Sequence, residues 1–137
     1  MAKHKFDSVP LPNIFLIGIS SHVNDYRLCW ALNKSLGIDL GRRKEDLRPH
    51  GSGQAAGFAA FDHVEEETQA MYSLLSNHAP DGVLLGDQRH ADYFLLVDEE
   101  CSLRPGEALT KVRQAEFVLT AFPLDIKTIK DAYKLLE

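Results

Sequence analysis

Ala91-Asp92-Tyr93-Phe94-Leu95-Leu96-Val97 is the stretch whose reading decides the fold. Five consecutive apolar residues, two of them aromatic, follow a single carboxylate. Successive side chains of a strand point to opposite faces, so a run apolar at every position belongs to a strand covered on both sides. The run is therefore expected to lie centrally in a sheet. Ile14-Phe15-Leu16-Ile17-Gly18-Ile19 reads the same way, as a second strand buried on both faces.

Between these runs the period changes. Ser20, Ser21 and Asn24 each suit a helix N-cap. From Tyr26, the residues Cys29, Leu32 and Leu36 form one stripe at helical spacing, with Leu28 beside it, and Gly37 fits the left-handed position that ends a helix. Ser102 or Pro105 opens a second helix that carries Ala108, Leu109, Val112 and Ala115 inward. A strand is expected over 117–122 and is ended by Pro123. A last helix follows, capped by Asp125, with Ile126, Ile129, Tyr133 and Leu136 as its stripe.

The middle of the chain carries strand signals over 58–64 and 69–76, joined across Glu65-Glu66-Glu67 as a hairpin. Residues 77–82 read as a turn, and a short apolar run, Val83-Leu84-Leu85, stops at Gly86-Asp87. The segment 38–57 holds Gly41, Pro49, Gly51, Gly53 and Gly57 among Arg42, Arg43, Lys44 and Arg48, and is expected to be a long mobile loop. Residues 1–13 read as an N-terminal arm, and 14–137 as one domain. The expected order is β-α-β-β-β-β-α-β-α. It describes an α+β fold, a mostly antiparallel sheet with helices packed on it and a ferredoxin-like core as the expected topology.

The 137 residues are 45% hydrophobic and 26% charged, a globular composition of one domain's length. A net charge of −5 argues against a nonspecific phosphate-backbone binder, so nucleic acid is disfavoured as a partner. The apolar run at 14–19 is too short to span a membrane, and no membrane partner is expected. Two cysteines with no framework spacing suit a reducing compartment, and the expected location is the cytoplasm.

No catalytic constellation emerges. There is no GxxxxGK[ST] run, and Gly51-Ser52-Gly53 lacks the preceding strand that a phosphate loop needs. None of the six histidines pairs with another at i,i+4, and no CxxC exists, so neither a metal nor a cofactor is expected. His63, Glu65 and Glu67 alternate and read as a solvated strand face. Cys29 lies on the buried stripe of the first helix, and Cys101 follows Asp98-Glu99-Glu100, whose charges disfavour a thiolate. Ser20, Ser21 and His22 stand at a strand-to-helix turn without the glycines of a nucleophile elbow. Two binding candidates remain. One is the polar cluster Asp87, Arg89, His90 and Asp92 between apolar walls, in which Asp92 is expected to satisfy turn amides. The other is the polar and aromatic face of the first helix, Tyr26, Arg27, Trp30, Asn33 and Lys34.

These blocks also carry a resemblance. Asn24-Asp25-Tyr26-Arg27-Leu28-Cys29-Trp30-Ala31-Leu32-Asn33-Lys34, coming after Ile17-Gly18-Ile19-Ser20, resembles the opening of the bacterial IPExxxVDY family. The motif that names the family falls on Leu85-Gly86-Asp87-Gln88-Arg89-His90-Ala91-Asp92-Tyr93. Asp92 and Tyr93 match literally, Leu85, Asp87 and Ala91 are chemically similar, and Gly86 stands where proline is expected. The likeness covers most of the chain from Ile14 on and implies no mechanism. The function expected is a noncatalytic module whose partner is a protein, with a homodimer as the other option. A small-molecule-sensing or dimeric regulatory domain is the alternative. RNA binding through the basic residues 42–48, or an enzyme using Asp87, His90 and Asp92, follows behind.

Overall fold

The computed structural model describes residues 13–49, 57–80 and 82–136. The two continuous apolar runs become β1 (Ile14–Ser20) and β7 (Tyr93–Asp98), antiparallel neighbours with Ile17 opposite Leu95. They belong to a six-stranded sheet with β2 (Gly41–Arg42), β3 (Ala60–Val64), β4 (Met71–Ser76) and β8 (Thr120–Leu124). The order is β2-β3-β4-β7-β1-β8, with every pairing antiparallel. Two further short strands, β5 (His78–Ala79) and β6 (Gly82–Val83), pair only with each other. The protein is thus α+β, with an antiparallel sheet.

Both faces of the sheet are covered. On one, α1 (Asp25–Leu36) and α2 (Pro105–Gln114) bring Leu28, Leu32, Leu36, Ala108 and Val112 against Ile17, Ile19, Tyr72, Leu74, Leu95 and Val97. On the other, Leu16, Leu75, Phe94 and Leu96 are covered by chain that forms no α-helix. Leu84, Leu85 and Ala91 come from the β4–β7 connection, and Ile126, Ala132 and Leu135 from the C-terminal segment.

Local chemistry accounts for both helices. The Asn24 side chain accepts the Arg27 amide at 3.0 Å, and Gly37 ends α1 at φ 70°. Pro105 occupies the first turn of α2, and the Glu107 carboxylate accepts the Arg104 amide at 3.3 Å. The Ser35 hydroxyl donates to the Lys111 carbonyl at 2.5 Å and ties the helices together. Gly18 lies opposite Phe122 of β8, and a Cβ there would run into the Phe122 ring.

Four expectations are corrected. The segment 38–57 is not irregular throughout. Gly41 and Arg42 form β2 on β3, Leu47 bridges Phe58, and Leu40 and Leu47 are buried. Its residues 50–56, with Gly51-Ser52-Gly53, lie outside the described residues, as does the 1–13 arm apart from Asn13. The 83–85 run does not join the main sheet: only Val83 pairs, with His78, while Leu84 and Leu85 turn inward onto the Phe94 face. The last strand is shifted to Thr120–Leu124 and contains Pro123 rather than ending at it. Proline is tolerated there because β8 is an edge strand with one side free of the ladder.

The fourth correction is the C-terminal helix. Two 3₁₀ turns, Ile126–Thr128 and Ala132–Leu136, replace it. Asp125 does cap the first, accepting the Lys127 amide at 3.0 Å. Asp131 then adopts φ 63°, a left-handed conformation no α-helix can contain. The apolar residues obey a period of three. Ile126, Ala132 and Leu135 are buried and Ile129 half-buried, whereas Tyr133 and Leu136 of the expected stripe are exposed.

The part of the cover over the Phe94 face that the β4–β7 connection forms is tied to Asn77, which is completely buried. Its side-chain nitrogen donates to the Gln88 and Ala91 carbonyls at 2.9 and 2.8 Å. Its side-chain oxygen accepts the Leu85 amide at 2.8 Å. Its backbone adds bonds to the Asp92 carbonyl and the Leu84 amide. Asn77→Ala would strand the Ala91 carbonyl and the Leu85 amide beneath the cover and leave the Gln88 carbonyl with the Ala91 amide alone. The expected loss is about 3 kcal/mol or more, measured by urea denaturation.

Candidate functional site

The exposed face of α1 forms the first candidate. Tyr26 is 61% and Trp30 53% exposed, so neither is core. The Tyr26 ring meets Phe61 edge-on at 5.9 Å, and its hydroxyl accepts from Arg42 at 3.4 Å. The Arg27 guanidinium stands 5.1 Å over the Phe117 ring, and the Lys34 ammonium 5.2 Å over Trp30. Tyr26, Arg27, Trp30, Glu116 and Phe117 line a groove of about 440 Å³. Lys34 lies at its border, within 4.0 Å of Glu116.

Asn33 belongs to a different structure. Its oxygen accepts the Leu40 amide at 2.7 Å, and its nitrogen donates to the Leu40 carbonyl at 3.4 Å and to the Cys29 sulfur at 3.8 Å. It fastens the chain leaving α1 and does not line the groove.

Phe117 was not visible as a site residue, because its sequence context reads as a strand. It has φ 70°, uncommon for any residue with a Cβ and an outlier for a bulky one. The buried Ser21 hydroxyl donates to its carbonyl at 2.6 Å and holds it there. Ser21 is thus a tether, which accounts for a polar residue inside the strand-to-helix turn.

The second candidate divides. Asp87 and Arg89 line a groove with residues of the C-terminal segment. His90 instead lies nearly parallel on the Phe122 ring, with centroids 5.0 Å apart. The Asp92 carboxylate accepts the Ser21 amide at 2.9 Å and stands 3.9 Å from His78. Asp87, His90 and Asp92 therefore do not line one pocket. Asp92 connects the start of β7 to the turn that launches α1.

Other polar groups serve the fold. His63 Nδ1 accepts the Asp39 amide at 3.2 Å. Glu65 and Glu67 lie past the end of β3, so the expected strand-face alternation with His63 stops at Val64. Burial pushes the Glu65 carboxyl up, but bonds from the Ser102 hydroxyl and amide and from Thr68 outweigh it and hold the carboxyl below its ordinary range. In the basic segment, Arg42 is 2.7 Å from Asp46, and Arg43 grips Asp62 through two bonds of 2.7 and 3.0 Å. Among the described residues, no group of three or more His, Cys, Asp or Glu stands where it could hold a metal ion. Among the same residues, no helix is long and apolar enough to cross a membrane.

Comparison with known proteins returns no matching family model, no matching curated protein and no matching solved structure.

Two predictions follow from these contacts. Asp92→Ala removes the acceptor of the Ser21 amide and should lower stability by about 1 kcal/mol, while Asp87→Ala should change it by less than about 0.5 kcal/mol. Denaturant melts of both variants check this. The thiols supply the second. Burial pushes Cys29 and Cys101 to about 11, with the Asn33 bond opposing the shift at Cys29 and the Glu65 and Asp98 charges adding to it at Cys101. The unfolded chain releases these protons near pH 9, so their stabilisation is complete below pH 9 and is lost as pH rises toward 11. The urea midpoint should fall across that window. It should fall less in Cys29→Ala/Cys101→Ala, each protein referred to its own midpoint at lower pH.

Proposed function

We propose that the protein is a noncatalytic, cytoplasmic interaction module that engages a protein partner through the exposed face of α1. The observation that carries this reading is the groove flanked by Tyr26, Trp30 and Phe117. Two of these rings are more than half exposed, and the third is fixed in a conformation that costs of order 1 to 3 kcal/mol. Rigid aromatic side chains beside an arginine are the composition of a binding hot spot. Cationic groups already stacked on Trp30 and Phe117 hold those rings in place before a partner arrives.

The resemblance to the IPExxxVDY family remains part of this proposal. It is supported by the block at 24–34, which supplies Tyr26, Arg27 and Trp30, and by Asp92-Tyr93. A ferredoxin-like core is supported by the sequence β1-α1-β4-β7-α2-β8 and by the strand order β8-β1-β7-β4.

Affinity capture from native lysate tests the reading with wild type, Tyr26→Ala/Trp30→Ala, and Met71→Ala as a control at an exposed apolar residue on β4. The α1 double variant should lose a specific partner that Met71→Ala retains, with melting temperatures close to wild type. Equal partner sets for all three proteins would reject the α1 face. Self-association abolished by the same double variant would identify the partner as a second copy.

A further inference from the structure

Across the sheet from α1, the β4–β7 connection and the C-terminal segment enclose a groove of about 510 Å³. Gly86, Asp87, Arg89, Lys130, Asp131 and Lys134 are among its lining residues. Its volume is within the range of small-molecule sites, roughly 300 to 1,000 Å³. Three cations face two carboxylates there, in a chain whose overall charge is −5.

The cations are incompletely matched. Lys134 is only 19% exposed, and its ammonium stands 3.9 Å from Asp131, too far for a hydrogen bond. Its ammonium, one of whose ion-pair neighbours is Asp131, makes no hydrogen bond to a described residue, so its three donors remain open to a ligand. Arg89 and Lys130 have no ion-pair partner among the described residues. Backbone strain lies at the same place, because Asp131 at φ 63° breaks the C-terminal segment between Lys130 and Lys134. A continuous helix, which the sequence allows, would not make this break.

We propose that this groove binds a small, multiply charged anion, a phosphate ester or a polycarboxylate, through Arg89, Lys130 and Lys134. The polar lining and the glycine backbone at Gly86, where no atom lies within 4 Å of an added Cβ, leave room for a compact, hydrated ligand. This site is independent of the α1 face, and either can fail without the other.

Isothermal titration with pyrophosphate and with citrate, each against sodium chloride at matched ionic strength, tests the proposal and distinguishes the two anion classes. Saturable binding of one or both probes is expected. Lys134→Met, which keeps the aliphatic stem, and Arg89→Ala/Lys130→Ala should each weaken it by about tenfold or more, the scale of one charged hydrogen bond. Lys44→Ala, at a cation that does not line the groove, should bind as wild type does. Because Arg89 and Lys130 are exposed, their double variant should retain the wild-type melting temperature and keeps the test valid if Lys134→Met unfolds. Absence of saturable binding for both probes, or equal binding by the folded Arg89/Lys130 variant, would overturn the proposal.

Discussion

One buried amide side chain holds together the β4–β7 connection, which shares with the C-terminal segment the sheet face that no α-helix covers. Sheets with apolar residues on both faces need cover on both. Helices provide it over Tyr72, Leu74 and Leu95, and each helix satisfies its own backbone as it does so. Over Phe94 and Leu96 the cover is irregular chain, whose amides and carbonyls need other partners once water is excluded. Asn77 supplies them, with two donors and an acceptor directed at three backbone groups between Leu85 and Ala91. Alanine would fit the space but bond none of them, and aspartate would lack the donors. The turn that carries Asp87 and Arg89, the stack of His90 on Phe122 and the approach of Asp92 to Ser21 all depend on the backbone path that Asn77 fixes.

What was legible in the sequence was what local chemistry decides. Asn24, the stripe from Leu28 to Leu36 and Gly37 specify α1 without help from the rest of the chain. The hairpin of β3 and β4 follows from two apolar runs around a charged turn. Asn77 was read as a turn residue because asparagine favours turns. Its three side-chain bonds run to residues eight to fourteen positions away, so no local pattern contains them. The C-terminal segment misled for another reason. Ile126, Ile129, Tyr133 and Leu136 satisfy a helical period, while Ile126, Ile129, Ala132 and Leu135 satisfy a period of three, and tertiary packing selects the second. Pro123 is a strand breaker by propensity, but its cost vanishes at an edge, and edges are a property of topology.

The candidate surfaces divide along the same line. Tyr26 and Trp30 fall off the buried stripe of α1, so their exposure could be inferred from spacing alone. Asn33 falls off it too, and polarity suggested a surface role. The chain returns past it after Gly37, and Leu40 claims both ends of its amide. For Phe117 no sequence signal exists. A phenylalanine in left-handed backbone results from Ser21 seizing its carbonyl across almost a hundred residues.

Phe117 and Asp131 give the two surfaces a common construction. Each is a non-glycine residue in left-handed backbone, and they stand before and after β8, the edge strand. An isolated chain would relax both. Here β8 is paired with β1 over five residues, its Ala121 carbonyl is occupied by the Arg113 side chain, and a left-handed residue redirects the chain shortly before the strand and again after the 3₁₀ turn that follows it. The redirection before β8 brings the Phe117 ring beneath Arg27 and beside Trp30. The redirection after it brings Lys130 and Lys134 to the groove that Arg89 shares. Strained residues persist where surrounding structure overdetermines them, and a fixed geometry removes the ordering entropy that a flexible loop would lose on binding. The edge of the sheet is therefore where this fold combines rigid support with departures from regular backbone, and both candidate surfaces are built from those departures.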